Sequence, residues 1–179
     1  MKEIRWHGRG GQGAFTASKL LGAAATLEGK YALAFPFFGP ERRGAPIQAF
    51  TKIDDKPITD RSVVKKCDYM LFLDETLYSE TLNGDLKENG KIIINSQNPD
   101  KYENPQVIAF NARQIAEEIL KRPVTNTALL AAFAIISKAV SLEEIESVLG
   151  LYLPKKIAEK NKEVIERVAI ELEKASCIL

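Results

Sequence analysis

The stretch EIRWHGRGGQGAFTASKLLGAAATLEG, residues 3 to 29, decides the fold. Glu3 to His7 alternate in polarity with the period of a strand, and the chain then runs into Gly8, Arg9, Gly10, Gly11, Gln12 and Gly13. Beyond that loop Phe15, Leu20, Leu21 and Ala24 recur at helical spacing as far as Glu28 and Gly29. Strand, glycine loop and helix in that order present free backbone amides at the positive end of a helix dipole, where an anion such as phosphate is favoured.

Working outward, Tyr31 to Phe35 and Ile47 to Ile53 read as strands, separated by a loop that Pro36, Gly39, Pro40, Gly44 and Pro46 make stiff. Tyr69 to Leu73, Lys91 to Asn95 and Gln106 to Phe110 are further short apolar runs, with helical stretches expected at Ser62 to Lys66 and Glu75 to Leu82. Gly84 and Asp85 read as a turn. From Ala112 onward the pattern is helical: Ala112 to Leu120, Thr125 to Ala139, Ser141 to Leu149 and Pro154 to about Ala175. Ser141 and Glu144 have capping-box spacing, and Pro154 stands where a first-turn proline loses no hydrogen bond. In the last helix Ile157, Val164, Ile165, Val168 and Leu172 form an apolar stripe, with Glu163 and Arg167 on the solvated side. The expected architecture is a single three-layer α/β domain over residues 1–179. Its sheet is Rossmann-like, mostly parallel or mixed, flanked by helices and followed by a helical C-terminal third.

Composition narrows the function. A chain of 179 residues, 45% apolar, has material for one sizeable core. Twenty-five Lys and Arg against 24 Asp and Glu leave a formal charge of +1, too little to attract nucleic acid or an anionic membrane. The longest apolar run, Ala128 to Ile136, is shorter than the roughly 20 residues that span a bilayer, and the first 30 residues carry no signal-like stretch, so a cytoplasmic location is expected. Two cysteines, Cys67 and Cys177, are too few for an iron–sulfur cluster and read as inert, so this chain alone is expected to hold no metal.

Gly8, Gly10 and Gly13 satisfy the dinucleotide-loop spacing, but the second strand ends Ala34, Phe35, Pro36, without the carboxylate that would hold a ribose. Three readings of the loop stand: an anion or partner contact, a tight turn without ligand, and a nicotinamide site. Arg9 adds a charge-assisted bond to an anion if it points inward. His7, the sole histidine, is expected to be hydrogen-bonded to backbone, with acid–base work as the alternative. The loop from Phe38 to Pro46 carries Glu41, Arg42 and Arg43 between rigid breaks; it suits phosphate or subunit contacts, against the plainer reading of solvated surface charge.

Taken together, His7 to Gly13 and Phe38 to Pro46 resemble the gamma subunits of the pyruvate:ferredoxin oxidoreductases (pyruvate synthases), within the 2-oxoacid:ferredoxin oxidoreductase family. The likeness runs on through Ile58-Thr59-Asp60 and Pro123 to Thr127 to Asn161, and Glu41-Arg42-Arg43 looks most like the pyruvate type. The resemblance implies a domain III-like component of a complex that converts pyruvate and coenzyme A to acetyl-CoA and CO2 and reduces ferredoxin. It implies alpha, beta and delta subunits as partners, which carry thiamine diphosphate, Mg and [4Fe-4S] clusters. For this chain it implies no catalytic residue and a contribution to coenzyme A binding through Gly8, Arg9, Gly10, Gly11, Gln12, Gly13, Arg42 and Arg43. Phe38, Glu41, Arg42, Arg43 and Asn126 are the interface candidates. The alternatives are a gamma subunit serving 2-oxoglutarate, branched-chain oxoacids or indolepyruvate, including one shared between two enzymes, a purely structural docking subunit, and a free-standing nucleotide-binding oxidoreductase.

Overall fold

Trp6 lies in the middle strand region with no exposed surface, its indole N–H donating to Thr51 Oγ1 at 3.0 Å and its ring 6.4 Å from that of Phe133. The computed structural model describes residues 1–37 and 44–176. Around Trp6, β1 (Lys2–Arg9) is flanked by β3 (Pro46–Asp54) and β4 (Cys67–Phe72). With β2 (Tyr31–Phe37), β5 (Leu86–Asn95) and β6 (Val107–Phe110), these form one six-stranded sheet in the order β2-β3-β1-β4-β5-β6. β1, β4, β5 and β6 pair parallel, and β3 pairs antiparallel with both β1 and β2. Only β3 therefore runs against the rest, and the sheet is mixed and mostly parallel.

Alternation assigns the two faces. Ile4, Trp6, Ala49, Ile53, Leu71 and Ile93 pack into the larger core, under α1 (Ala14–Leu27) and α3 (Asn126–Ser137). α3 is buried on almost every side, as its apolar sequence requires, because α2 (Ala112–Leu120), α4 (Leu142–Tyr152) and α5 (Lys155–Ser176) pack around it. On α5, Val164, Ile165, Val168 and Leu172 are buried, each contributing roughly 1.5 to 3 kcal/mol of transfer free energy. Ile157 departs from the predicted stripe. It is 49% exposed, and Ala158 and Asn161 take its place in the packed face.

The opposite sheet face, with Phe50, Met70, Phe72, Ile92 and Ile94, is covered by 3-10 turns at Glu75–Leu77 and Glu80–Asp85. The predicted helix at Glu75 to Leu82 is thus two short turns, interrupted at Tyr78, whose ring meets those of Phe72 and Tyr102 at 5.4 and 5.7 Å. Segment 62–66 is not helical. Asp60 Oδ1 accepts the amide of Ser62 at 2.9 Å, a local turn that competes with a helical start. The other oxygen of Asp60 accepts from the fully buried Lys52 at 2.6 Å, and this holds the carboxyl well below its usual range. Half of the predicted capping box forms: Ser141 Oγ accepts the amide of Glu144 at 3.2 Å, but the Ser141 amide donates to Glu28 Oε1 at 2.6 Å instead of to Glu144.

Candidate functional site

The site lies at the carboxyl end of β1, at the position where successive connections turn to opposite sides of the sheet, toward β3 and β2 on one side and β4 and β5 on the other. Crevices at this point of α/β sheets receive ligands, because strand ends and helix N-termini converge there. After Arg9 the chain turns through Gly11 (φ 98°) and Gly13 (φ 82°), both in the left-handed region that glycine adopts without steric cost. Gly13 is the N-cap of α1; among the described residues no side-chain cap bond is made there and no acidic residue stands in the first turn, so the helix's own first turn does nothing to offset the positive end of the dipole. The N-terminus of α3, following Pro123 to Thr125, likewise has no side-chain cap and no acid in its first turn. Asn126 brings these two ends together: a Cβ on Gly13 would stand 2.7 Å from Asn126 Nδ2.

Arg9 points across the loop and is spent inside the protein. Its Nε donates to Asp74 Oδ2 at 2.9 Å, Nη1 to the Gly44 carbonyl at 3.2 Å and Nη2 to Thr76 Oγ1 at 2.8 Å. Asp74 also accepts from Gln12 Nε2 at 3.3 Å, and from the hydroxyl and amide of Thr76 at 2.6 and 3.0 Å. Partial burial raises the pKa of Asp74, and the hydrogen bonds from Thr76, Gln12 and Arg9 outweigh it, so the carboxyl lies below its ordinary value. Gln12 closes the turn by accepting the Arg9 amide at 2.7 Å. This clamp escaped the sequence reading. The signal that could have found it is Asp74 directly after the apolar run Tyr69 to Leu73, an acidic residue at a parallel strand's carboxyl end.

The glycine loop is also tied to the foot of the arginine-bearing loop. Gly10 N–H donates to the Ala45 carbonyl at 2.9 Å, and Gly44 N–H to the Gly10 carbonyl at 3.3 Å. Phe38, Glu41, Arg42 and Arg43 lie outside the described residues. Beside the loop opens a crevice of about 580 Å³, lined among others by Gly11, Gln12, Asp74, Asn95, Arg113 and Thr125. Asn95 braces its floor, donating to the Leu73 carbonyl and accepting the Arg113 amide, both at 3.0 Å.

His7 is not positioned for acid–base chemistry. It is buried, stacks on Phe72 at 4.3 Å, and its Nε2 has no hydrogen-bond partner among the described residues, contrary to the expected backbone bond. Burial, reinforced by the nearby charge of Arg5, lowers its pKa to about 3, so the ring is neutral throughout the physiological range. Arg5 shares this face and donates to Asp85 at 2.7 Å. Cys67 is fully buried and burial pushes its thiol up to about 11, which leaves it an unreactive core residue. Cys177 lies outside the described residues. Asn126, an interface candidate, is 8% exposed, with its side chain against Gly13.

The nicotinamide reading fails on topology as well as chemistry. In a dinucleotide fold the second strand lies beside the first, but here β3 separates β2 from β1 and takes the ribose-binding edge away from the glycine loop.

Comparison with known proteins decides the family. The pattern of the "Pyruvate ferredoxin/flavodoxin oxidoreductase" family matches residues 3–170. The chain belongs to that family. The pyruvate synthase subunit PorC of Methanothermobacter marburgensis is 46% identical over 178 residues, covering 98% of this chain and 99% of its own. The common gamma subunit of the pyruvate and ketoisovalerate oxidoreductases of Pyrococcus furiosus is 43% identical, covering 90% of this chain and 91% of its own. The crystal structure of pyruvate oxidoreductase subunit PORC from Thermotoga maritima superposes with a TM-score of 0.81 at 34% identity, over 93% of this chain and 94% of the other. As a gamma subunit of a 2-oxoacid:ferredoxin oxidoreductase, the chain is one component of a multisubunit oxidoreductase. No helix of the described residues is long and apolar enough to cross a membrane, and no group of three or more His, Cys, Asp or Glu among them is placed to hold a metal ion.

Proposed function

We propose that this chain serves an enzyme that oxidatively decarboxylates pyruvate with coenzyme A as acyl acceptor and ferredoxin as electron acceptor, and that its glycine loop and arginine-bearing loop together meet coenzyme A. The observation that carries the reading is the backbone pairing of Gly10 with Gly44 and Ala45, which joins the base of the Arg42 and Arg43 loop to the uncapped start of α1. A dianionic phosphate at the start of α1 would meet oriented amides, and the adjoining segment carries in its sequence two arginines, a residue type suited to charge-assisted bonding. Thiamine diphosphate, Mg and iron–sulfur clusters are assigned to the alpha, beta and delta partners, and residues 1–179 act as one gamma-type domain in the cytoplasm. The pyruvate assignment is supported by the names of relatives covering nearly the whole chain, and the relative shared with a ketoisovalerate enzyme makes a shared gamma subunit the closest variant.

Arg9 plays a different part from Arg42 and Arg43 in this reading, since Asp74, Thr76 and Gly44 already occupy its donors. It sets the loop's shape, and the ligand-facing charge comes from the neighbouring loop. The same sequestration favours one second reading, a gamma subunit whose two loops only dock against the thiamine-bearing partners. Steady-state kinetics of the assembled complex with the double substitution Arg42→Ala and Arg43→Ala separates the two. Coenzyme A contact raises the KM for coenzyme A by about tenfold and leaves pyruvate-dependent decarboxylation intact. Failed assembly, or equal loss in both half-reactions, overturns it in favour of docking.

A further inference from the structure

A second cavity, of about 370 Å³, opens among the helices, and it shares only Val124 with the crevice beside the glycine loop. The first turns of three helices border it: Thr16 on α1, Asn126 and Thr127 on α3, and Lys156 and Ile157 on α5. None of these helices has an acidic residue in its first turn, in contrast to α4, which has Glu143 and Glu144. Arg122, Lys156 and Lys160 line the cavity without an ion-pair partner among the described residues, and no carboxylate lines it.

The polar floor is only partly used. Thr127 is 3% exposed and its hydroxyl has no hydrogen-bond partner among the described residues. Asn126, 8% exposed, uses its Oδ1 to accept the Thr127 amide and leaves Nδ2 without an acceptor. Asn161, 6% exposed, spends its Nδ2 on the Ile157 carbonyl at 2.9 Å and leaves Oδ1 open. The residues are more than nine-tenths buried and line the cavity, yet the atoms they leave unpaired are not sealed in the core, so a polar guest in the cavity can take them up. The remaining wall is apolar, made by Leu20, Leu120, Val124, Leu153 and Ile157.

The geometry points to a binding site for a small organic anion with a short apolar stem, its carboxylate or phosphate held among Lys156, Lys160, Arg122 and Thr127 and its stem laid along the leucines. The volume falls within the range of small-molecule pockets. The charge pattern selects an anion over a neutral guest, and the apolar wall selects a stem over inorganic phosphate. The inference is independent of the coenzyme A reading, because none of the residues assigned to that contact lines this cavity.

Calorimetry on the full chain tests it with sodium hexanoate as probe, against inorganic phosphate and 1-hexanol. Hexanoate should bind saturably, with each control weaker by about tenfold. The double substitution Lys156→Ala and Lys160→Ala, at lysines without ion pairs, should cost about tenfold in hexanoate affinity, as should Thr127→Val, which keeps the shape and removes the hydroxyl. Arg42→Ala with Arg43→Ala should leave hexanoate binding unchanged. Absence of saturable heat, binding of 1-hexanol equal to that of hexanoate, or unaltered hexanoate binding in the lysine double variant each overturns the site. So does loss of subunit assembly in that variant without any hexanoate binding by the wild type, which would assign the cavity to an acidic segment of a partner subunit.

Discussion

Arg9 and Asp74 meet at 2.9 Å between the ends of two adjacent parallel strands, and this contact fixes the shape of the glycine loop. Arg9 spans Asp74, Thr76 and the Gly44 carbonyl, so one side chain ties the loops after β1 and β4 to the foot of the loop before β3. Asp74→Ala removes the acceptor for Arg9 and Gln12 and the local turn at Thr76. Asp74 is 17% exposed and Arg9 36%, so solvent screening limits the loss to about 1 to 2 kcal/mol, read by urea denaturation at pH 7. Because the folded carboxyl titrates below its unfolded value, its contribution is complete above about pH 4 and disappears as pH falls through the folded pKa. The stability gap between wild type and variant should therefore narrow below about pH 4. A gap that stays constant down to about pH 2 would show that the carboxylate charge is not what holds the clamp.

Gly13 and Gly11 make a paired test of backbone strain against close approach. Both have positive φ, 82° and 98°, but a Cβ on Gly13 meets Asn126 Nδ2 at 2.7 Å whereas one on Gly11 meets nothing within 4 Å. Gly11→Ala should cost about 1 kcal/mol from conformation alone. Gly13→Ala should cost about 2 to 4 kcal/mol, because the buried Asn126 must also move. Equal shifts in thermal midpoint for the two variants would mean that Asn126 yields freely.

Much of this arrangement was legible in the sequence, and the parts that were not have physical causes. Ala112 to Leu120 was readable to the residue because its apolar positions keep helical spacing and Asn111 caps it, accepting the Gln114 amide at 3.0 Å. The strands were legible from alternation, but alternation carries no direction, so the reversal of β3 had to come from tertiary pairing. Segment 62–66 is not helical because Asp60 gives one carboxylate oxygen to the Ser62 amide two residues on and the other to Lys52 of β3, a side-chain commitment that apolar periodicity does not register. The glycine loop was found by its glycines. The orientation of Arg9 depended on Asp74 and Thr76, some 65 residues away in the chain, which no motif spacing connects.

His7 makes the fold sensitive to acid. Its pKa falls from 6.5 to about 3 on folding, mainly through burial and then through Arg5, with Asp85 opposing. A lowered histidine pKa means that the unfolded chain binds the proton more readily, so stability is complete above about pH 6.5 and declines as pH drops toward the folded value. The decline should reach a few kcal/mol by about pH 4. His7→Phe keeps an aromatic ring for stacking on Phe72 and removes the titration, so its stability should be flatter between about pH 6.5 and 4 than that of the wild type. Parallel pH profiles for the two proteins would place the acid sensitivity elsewhere.

Glu28 takes the role that the local sequence assigns to Glu144. Glu144 stands where a capping-box carboxylate belongs, yet the Ser141 amide donates to Glu28 Oε1 at 2.6 Å, and Glu28 also holds Lys30 at 2.6 Å. Lys30 in turn donates to the Ala139 carbonyl at 2.6 Å, so the end of α1 and the start of α4 share one small polar network. Glu28→Ala leaves the Ser141 amide without its acceptor and Lys30 with the Ala139 carbonyl alone, and should destabilise the protein by about 1 to 2 kcal/mol. Glu144→Ala removes a side chain that caps nothing and should cost about 0.5 kcal/mol or less. Chemical denaturation of the two single variants decides the matter: a larger loss for Glu144→Ala would restore the local capping box and dismiss the long-range one.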